Sequence, residues 1–379
     1  MEKCSKGLIV AAVAALSFGL IGCGGGGSST PGTATGVFTD SKVDGIQYTS
    51  GSSSGTTDQN GRFTYQIGSL VTFSIGGITI GSATGAGVIS PIDLVDNGTI
   101  NDTHVLNIVR FLMLLDFDGD ASNGITITND VRMQAKDWAQ VDFSSSDIAT
   151  QLTTIQNDLS SIPGVYLLPE STSAQAHYTS TLRCIDSGAF KGTFSGGDTG
   201  YFTAIVDPST GNIYGLTKSD GLQSADRFSS NAPLSLDQAK TFTSSYGSFG
   251  SIFSGSFSLN SVSGSWSNSG VSGTFKGSRL GGALDTKYRF TAAYQGIVDE
   301  GHLTFDMDAS NNIAGIGYSP ILNKEFTVRG RMVNNRLTAT SSLGASIMGV
   351  LAPETNMLSG TWVNDSDEGT FDSIGCQLN

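Results

Sequence analysis

Three aspartates at alternate positions, Asp116, Asp118 and Asp120, followed by Asn123, are the residues whose types and spacing could do chemistry most directly. Carboxylates at positions 1, 3 and 5 of a loop, with an oxygen donor at 8 and glycine to turn the backbone, can converge on one hard cation of Ca²⁺ size. Ala121 stands at position 6 and Ile127 at position 12, so the sharp-turn glycine and the bidentate glutamate of the tightest loops are both missing. The expected affinity is therefore modest, on the order of 10⁻⁴ M. The competing reading is an Asp-rich turn at a helix C-terminus, but three acids there oppose the helix dipole unless a cation is present.

Other chemistry is sparse. His104, His177 and His302 show no zinc spacing, and each is expected to be a local hydrogen-bonding residue. Asp306-Met-Asp308 lies in a strand running into a turn and reads as solvated charge. Gly51-Ser-Ser-Ser54-Gly55 matches Gly-x-Ser-x-Gly formally, but a nucleophile elbow needs a strand before it and a helix after it, and this one sits in a Ser/Gly loop. There is no P-loop, dinucleotide fingerprint or haem attachment motif. No catalytic constellation emerges, so the chain is expected not to be an enzyme.

The elements that must position the acidic loop lie in residues 101–183. His104 to Leu115 is apolar on nearly every face and reads as a buried helix, with Asp102 or Thr103 as N-cap. Ile148, Leu152, Ile155 and Leu159 form a second helical stripe, and Ser173 to Leu182 gives a third helix. Together they make a short helical insert carrying the Ca²⁺ loop. The loop resembles the Asp-x-Asp-x-Asp loops of calcium-binding repeats.

Strand and turn patterns occupy the rest. Residues 36–100 alternate, with Asn60-Gly61 as a hairpin signal. The set VDGIQYTS … TTDQNGRFTY resembles the small β-sandwich modules related to carboxypeptidase regulatory-like and Cna-B-type domains, which implies a stalk or spacer. In residues 184–379, Gly255-Ser-Phe257, Gly264-Ser-Trp266 and Gly273-Thr-Phe275 recur every nine residues. Gly360-Thr-Trp362 and Gly369-Thr-Phe371 repeat the step, and Gly192-Thr-Phe194 is a further copy. Nine residues fit one short strand plus one turn, so the aromatics return to equivalent places in a meander of roughly ten strands. Such a sheet must curl, stack or close to hide its edges, giving an antiparallel β-barrel or sandwich. Strands of Gly, Ser and Thr lack the apolar outer band of a membrane barrel. The Gly-x-aromatic texture resembles the barrels of transferrin-binding and related surface lipoproteins. The fold class is thus mainly β: a small N-terminal sandwich, the helical insert, and a C-terminal barrel or sandwich.

Export is written at the start. Lys3 and Lys6 precede an apolar run from Leu8 to Leu20, too short to span a bilayer, and residues 1–22 read as a signal peptide. Leu20-Ile21-Gly22-Cys23 resembles the lipobox of bacterial lipoproteins, which implies cleavage before Cys23 and its acylation, palmitate included. Residues 23–35 then form a lipidated Gly/Ser tether. Gly24 lacks the Asp that resembles an inner-membrane retention signal, so the expected location is the outer membrane, facing periplasm or cell surface. Of four cysteines, Cys4 leaves with the signal and Cys23 takes lipid; Cys184 and Cys376, in an oxidising compartment, are expected to form a disulfide closing the C-terminal segment.

Without residues 1–22 the acidic count falls from 33 to 32 and the basic from 20 to 18, a charge of −14 with no basic run, which excludes nucleic acid as a partner. The partners expected are the membrane, through the anchor, and an extracellular protein or glycan. The leading expectation is a binding or adhesion role through hairpin tips of the C-terminal domain. The alternatives are a lipocalin-like carrier of a small apolar ligand, and a secreted hydrolase or its accessory module.

Overall fold

The computed structural model describes residues 31–221, 225–282 and 286–378. The signal segment, the lipobox and Cys23 lie outside them. Among the described residues no helix is long and apolar enough to cross a membrane.

Short strands open the chain: β1 (Thr33–Phe38), β2 (Val43–Asp44), β3 (Gln47–Ser50), β4 (Ser53–Thr56), β5 (Arg62–Gln66), β6 (Leu70–Ile75), β7 (Ile78–Thr84), β8 (Val88–Ile89) and β9 (Ile125–Thr126). They pair as a three-stranded sheet β5-β1-β8 and a four-stranded sheet β4-β3-β6-β7, with β2 beside β9. Period-two alternation sends Val71, Phe73 and Ile75 inward while Leu70 stays exposed. Phe73 meets Phe38 at 4.5 Å and Phe63 edge-on at 5.2 Å, where the ring quadrupoles attract. Thr33 already pairs with Gln66, so the expected tether ends before residue 33 rather than at 35.

Helices α1 (Thr103–Leu114), α2 (Asn129–Gln134), α3 (Ile148–Leu159) and α4 (Ser171–Asp186) come next in the chain. The Asp102 carboxylate caps α1 by accepting from the His104 N–H, and Asp147 caps α3 through Thr150. Phe111 and Leu112 of α1, with Leu152 and Leu159 of α3, belong to the same hydrophobic core as Phe38 and Phe73. The β strands and these helices are therefore one packed unit, and residue 100 marks no break in the core.

α4 fastens this unit to the C-terminal segment. Its Tyr178 is fully buried and hydrogen-bonded to Ser90 and Ile92. The last carbonyls of the helix and the residue after it face two buried guanidinium groups: Arg279 holds Ile185, Asp186 and Ser187, and Arg289 reaches Cys184 and Ile185. Cations there satisfy orphan carbonyls and complement the helix dipole. Burial drives Arg279's pKa down to about 9.

The C-terminal segment contains two eight-stranded sheets. The first comprises β10 (Gly188–Gly196), β11 (Gly200–Val206), β12 (Ile213–Ser219), β13 (Asp226–Ser229), β14 (Thr241–Thr243), β15 (Ile252–Phe257), β16 (Ser261–Asn268) and β17 (Val271–Leu280). The second comprises β18 (Tyr288–Gly296), β19 (Glu300–Met307), β20 (Asn312–Ser319), β21 (Lys324–Val333), β22 (Arg336–Ser341), β23 (Ser346–Ala352), β24 (Met357–Val363) and β25 (Glu368–Gln377). The second closes into a barrel, β25 returning to β18. The first runs β13-β12-β11-β10-β17-β16-β15-β14, the same cyclic order opened at one place, where an isolated bridge, Ser230 to Ser244, and the backbone hydrogen bonds flanking it join the ends.

The two sheets are copies of one plan. Ser219 donates to Asp198 in the first and Ser319 to Asp299 in the second. Phe194 packs edge-on against Trp266 at 5.8 Å, and Tyr294 against Trp362 at 5.8 Å. Trp266 is followed by Asn268 and Phe275, Trp362 by Asn364 and Phe371, at equal spacing. A single barrel or sandwich was the expectation for 184–379; the Gly-x-aromatic step marks strands but not where a sheet closes on itself.

Candidate functional site

Asp116, at the end of α1, opens the acidic loop and is 1% exposed; its Oδ1 accepts the Thr126 N–H at 2.8 Å, and its Oδ2 is buried with no hydrogen-bond donor aimed at it among the described residues. Burial pushes its pKa up to about 6, and the Asp118 carboxyl in contact with it pushes the same way. Asp118 accepts from the Asp120 N–H and from the Asn123 amide, which hold its pKa below the usual range. Asp120 turns instead to Ser122, capping a short 3₁₀ turn, Ala121–Asn123. The structure thus brings Asp116, Asp118 and Asn123 together and directs Asp120 elsewhere. No three His, Cys, Asp or Glu side chains among the described residues form a metal-holding group.

The other singled-out residues have structural neighbours. Cys184 and Cys376 are disulfide-bonded across 192 residues, fixing the end of α4 to β25. His302 is buried, and burial lowers its pKa to about 3, so it stays neutral in physiological media. His104 stacks on Phe143. Asp306, expected in solvent, faces the buried Arg289 at 3.4 Å.

The barrel ends carry a second candidate. At one end of the closed barrel, the hairpin between β18 and β19 exposes Ile297 (79%) and Val298 (64%). Both sit on a fixed backbone. The Asp367 carboxylate, buried in the neighbouring β24–β25 hairpin, accepts the N–H groups of Ile297 at 2.8 Å and Asp299 at 3.0 Å and lies near that of Val298. Three donors on one carboxylate lock the tip, since breaking the set would leave a buried charge unsatisfied. Beside it a groove of about 470 Å³ runs between the sheets, bordered by Arg227 of the first and by Ile297, Val298 and Glu300 of the second. The Arg227–Glu300 ion pair bridges the two.

Each barrel also holds a pocket at this end. In the closed barrel it measures about 70 Å³, walled almost wholly by carbon from Leu303, Phe305, Phe326, Trp362 and Phe371. That volume is too small for an acyl chain, because the remaining interior is filled by side chains. In the first sheet the corresponding pocket, about 80 Å³, contains Asp198, Asp226 and Asn268. Asp226 and Asp367 escaped notice in the sequence; the repeated Asp-x-Gly and Trp-x-Asn signatures were the signal that could have located these ends.

This is a chain of one N-terminal β/α unit and two barrel-type sheets. No family model and no curated protein matches it. Among solved structures it is similar to a transferrin binding protein B of Haemophilus parasuis (9% identity, TM-score 0.18, covering 50% of this chain and 75% of that one). It is also similar to transferrin binding protein B of Neisseria meningitidis (11%, 0.19, 48% and 52%) and a DUF3598 protein of unknown function from Nostoc punctiforme (9%, 0.19, 52% and 98%). At these values no functional argument rests on the likeness.

Proposed function

We propose that the chain is an exported lipoprotein, anchored through Cys23 in the outer membrane, that binds an extracellular protein through the apolar hairpin tip of its closed barrel. One observation carries the reading: among the described residues Ile297 and Val298 are the most exposed large apolar pair on consecutive residues, and Asp367 holds their backbone rigid. A pre-ordered apolar tip loses little entropy on docking, which is what a binding hot spot requires. The filled barrel interior favours contact at the surface over carriage of a lipid. The test has two arms. Metabolic labelling with a palmitate analogue should mark the wild-type chain and not Cys23→Ser. Affinity capture from extracellular fluid, quantified by mass spectrometry, should enrich a protein on the wild type but not on Ile297→Asp/Val298→Asp; equal enrichment would refute the tip as contact site.

The acidic loop supports a second, accessory reading: a Ca²⁺ ion held by Asp116 and Asp118. Two carboxyls in contact, one buried with an unmatched oxygen, call for a shared proton or a cation, and outside the cell Ca²⁺ is the abundant candidate. Its role there would be to fasten the loop to α1.

A further inference from the structure

The two barrel ends are built alike but differ at one position. In the second barrel Phe326 on β21 pairs with Gly317 and packs edge-on against Tyr294 at 5.5 Å. In the first, the matching register places Asp226 on β13 opposite Thr217, facing the pocket that also holds Phe194, the counterpart of Tyr294. An apolar ring has been replaced by a carboxylate.

That carboxylate is 5% exposed. Its Oδ1 accepts the Phe249 N–H at 2.9 Å, while Oδ2 is buried without a hydrogen-bond partner among the described residues. A buried anion left half-matched is costly unless something positive or donating completes it. Arg227, next in the strand, points away and pairs with Glu300 of the second barrel, so it does not supply that charge. Phe194, Phe253 and Trp266 line the pocket among polar side chains, and Phe249, half exposed, stands at its mouth; the second carboxylate there, Asp198, already accepts from the Ser219 hydroxyl and the Thr199 N–H.

We infer that this pocket binds a compact organic ammonium group, with Asp226 as counter-ion and the surrounding rings as a cation–π cage. The chemistry favours an alkylammonium over a hard divalent ion. Ca²⁺ takes six to eight oxygen ligands with several carboxylates among them, but of the two acids here Asp198 is already engaged by Ser219 and Thr199, whereas aromatic faces attract a weakly hydrated cation within about 6 Å. A space of about 80 Å³ fits the head group of an amine, a lysine side chain or a methylated ammonium, but not a whole sugar or peptide. The second barrel has Phe326 in place of Asp226, and its remaining carboxylate, Asp299, is engaged by the Tyr294 and Ser319 hydroxyls, so it serves as a control within the same molecule.

The test tracks the indole N–H signals by NMR while the intact chain is titrated with methylammonium, then trimethylammonium, chloride at constant ionic strength. Trp266, whose N–H is bonded to the Ser195 carbonyl, should shift saturably. Trp362 should not, because in its pocket Phe326 stands where Asp226 would and the one carboxylate, Asp299, is already bonded to the Tyr294 and Ser319 hydroxyls. Asp226→Asn should weaken binding at least about tenfold by removing the charge while keeping an oxygen acceptor. Asp226→Phe, copying the second barrel, should abolish it; if that variant fails to fold, Asp226→Asn carries the test alone. No saturable shift at either amine up to about 100 mM, which corresponds to negligible affinity, would overturn the inference. So would an equal response at Trp362, or Asp226-dependent saturation by CaCl₂ with none by the amines.

Discussion

Nε2 of His177, on α4, lies 3.2 Å from Oδ1 of Asp40, in the turn between β1 and β2, and Asp40 has no solvent exposure at all. Burial lowers the histidine's pKa, but the charge of Asp40, joined more weakly by that of Asp116, outweighs it, and the net shift is upward. The charged pair therefore stabilises the fold fully below the unfolded histidine value of about 6.5, and that stability is lost as pH rises through the raised folded pKa. Thermal melts between pH 6 and 9 should show a falling midpoint in the wild type and a flat one in His177→Gln. His177→Ala, which strands a buried carboxylate, should cost about 3 to 5 kcal/mol; a loss below about 1 kcal/mol would contradict the pairing.

Reduction should act on a different part of the molecule. The Cys184–Cys376 bond joins the end of α4 to the last strand of the closed barrel, so it closes a loop containing both sheets. A loop of that length contributes up to about 5 kcal/mol on the chain-entropy account. Cys376→Ser should lower the unfolding midpoint of the barrel region and leave the Phe38–Leu159 core, which lies outside the loop, close to wild type. Hydrogen exchange resolved by peptide would separate the two, and uniform loss of protection would count against this division.

The Cys184–Cys376 bond was legible because two thiols remained once the others had chemical assignments. The barrel strands were legible too, since Gly-x-aromatic spacing reflects alternation: Phe275 and Phe371 turn inward at the same phase of their strands. Duplication was not. Trp266 and Trp362 lie 96 residues apart but Asp198 and Asp299 lie 101 apart, because loop lengths differ between copies, and few residues besides Gly and aromatics coincide. Asp226 resembles any acid near a turn in the sequence; only the curl of the sheet buries it. The shared core of Phe73 and Phe111 was hidden for the same reason, since a buried helix does not announce its partner.

The acidic loop makes a prediction with the opposite dependence on pH from an ordinary surface carboxylate. A folded pKa of about 6 for Asp116 against an unfolded value of 3.8 means that the folded form binds the proton more tightly, so stability declines as pH rises from about 4 to 6. Allowing for solvent screening, the decline is about 1 to 2 kcal/mol. In EDTA the midpoint should fall across that window; saturating Ca²⁺ should remove the fall, and Asp116→Asn should remove both the fall and the response to Ca²⁺. Calorimetry with Asp118→Ala gives an independent check, because unchanged Ca²⁺ binding in that variant would eliminate the loop as the site.

Asp367 should govern partner binding without touching the partner. Its carboxylate is the common acceptor for the backbone of the Ile297–Val298 tip, and it also accepts the Glu368 N–H of its own hairpin. Asp367→Ala would free those donors to water and release the tip, while leaving both apolar side chains in place. Binding of whatever protein the wild type captures should then weaken about tenfold, the entropy of re-ordering two or three residues. Asp367→Asn keeps one acceptor oxygen and should fall between the two. Slower association with unchanged dissociation would point to loss of a pre-ordered tip. Faster dissociation at unchanged association would instead make Asp367 a direct contact and remove the argument for a locked hairpin.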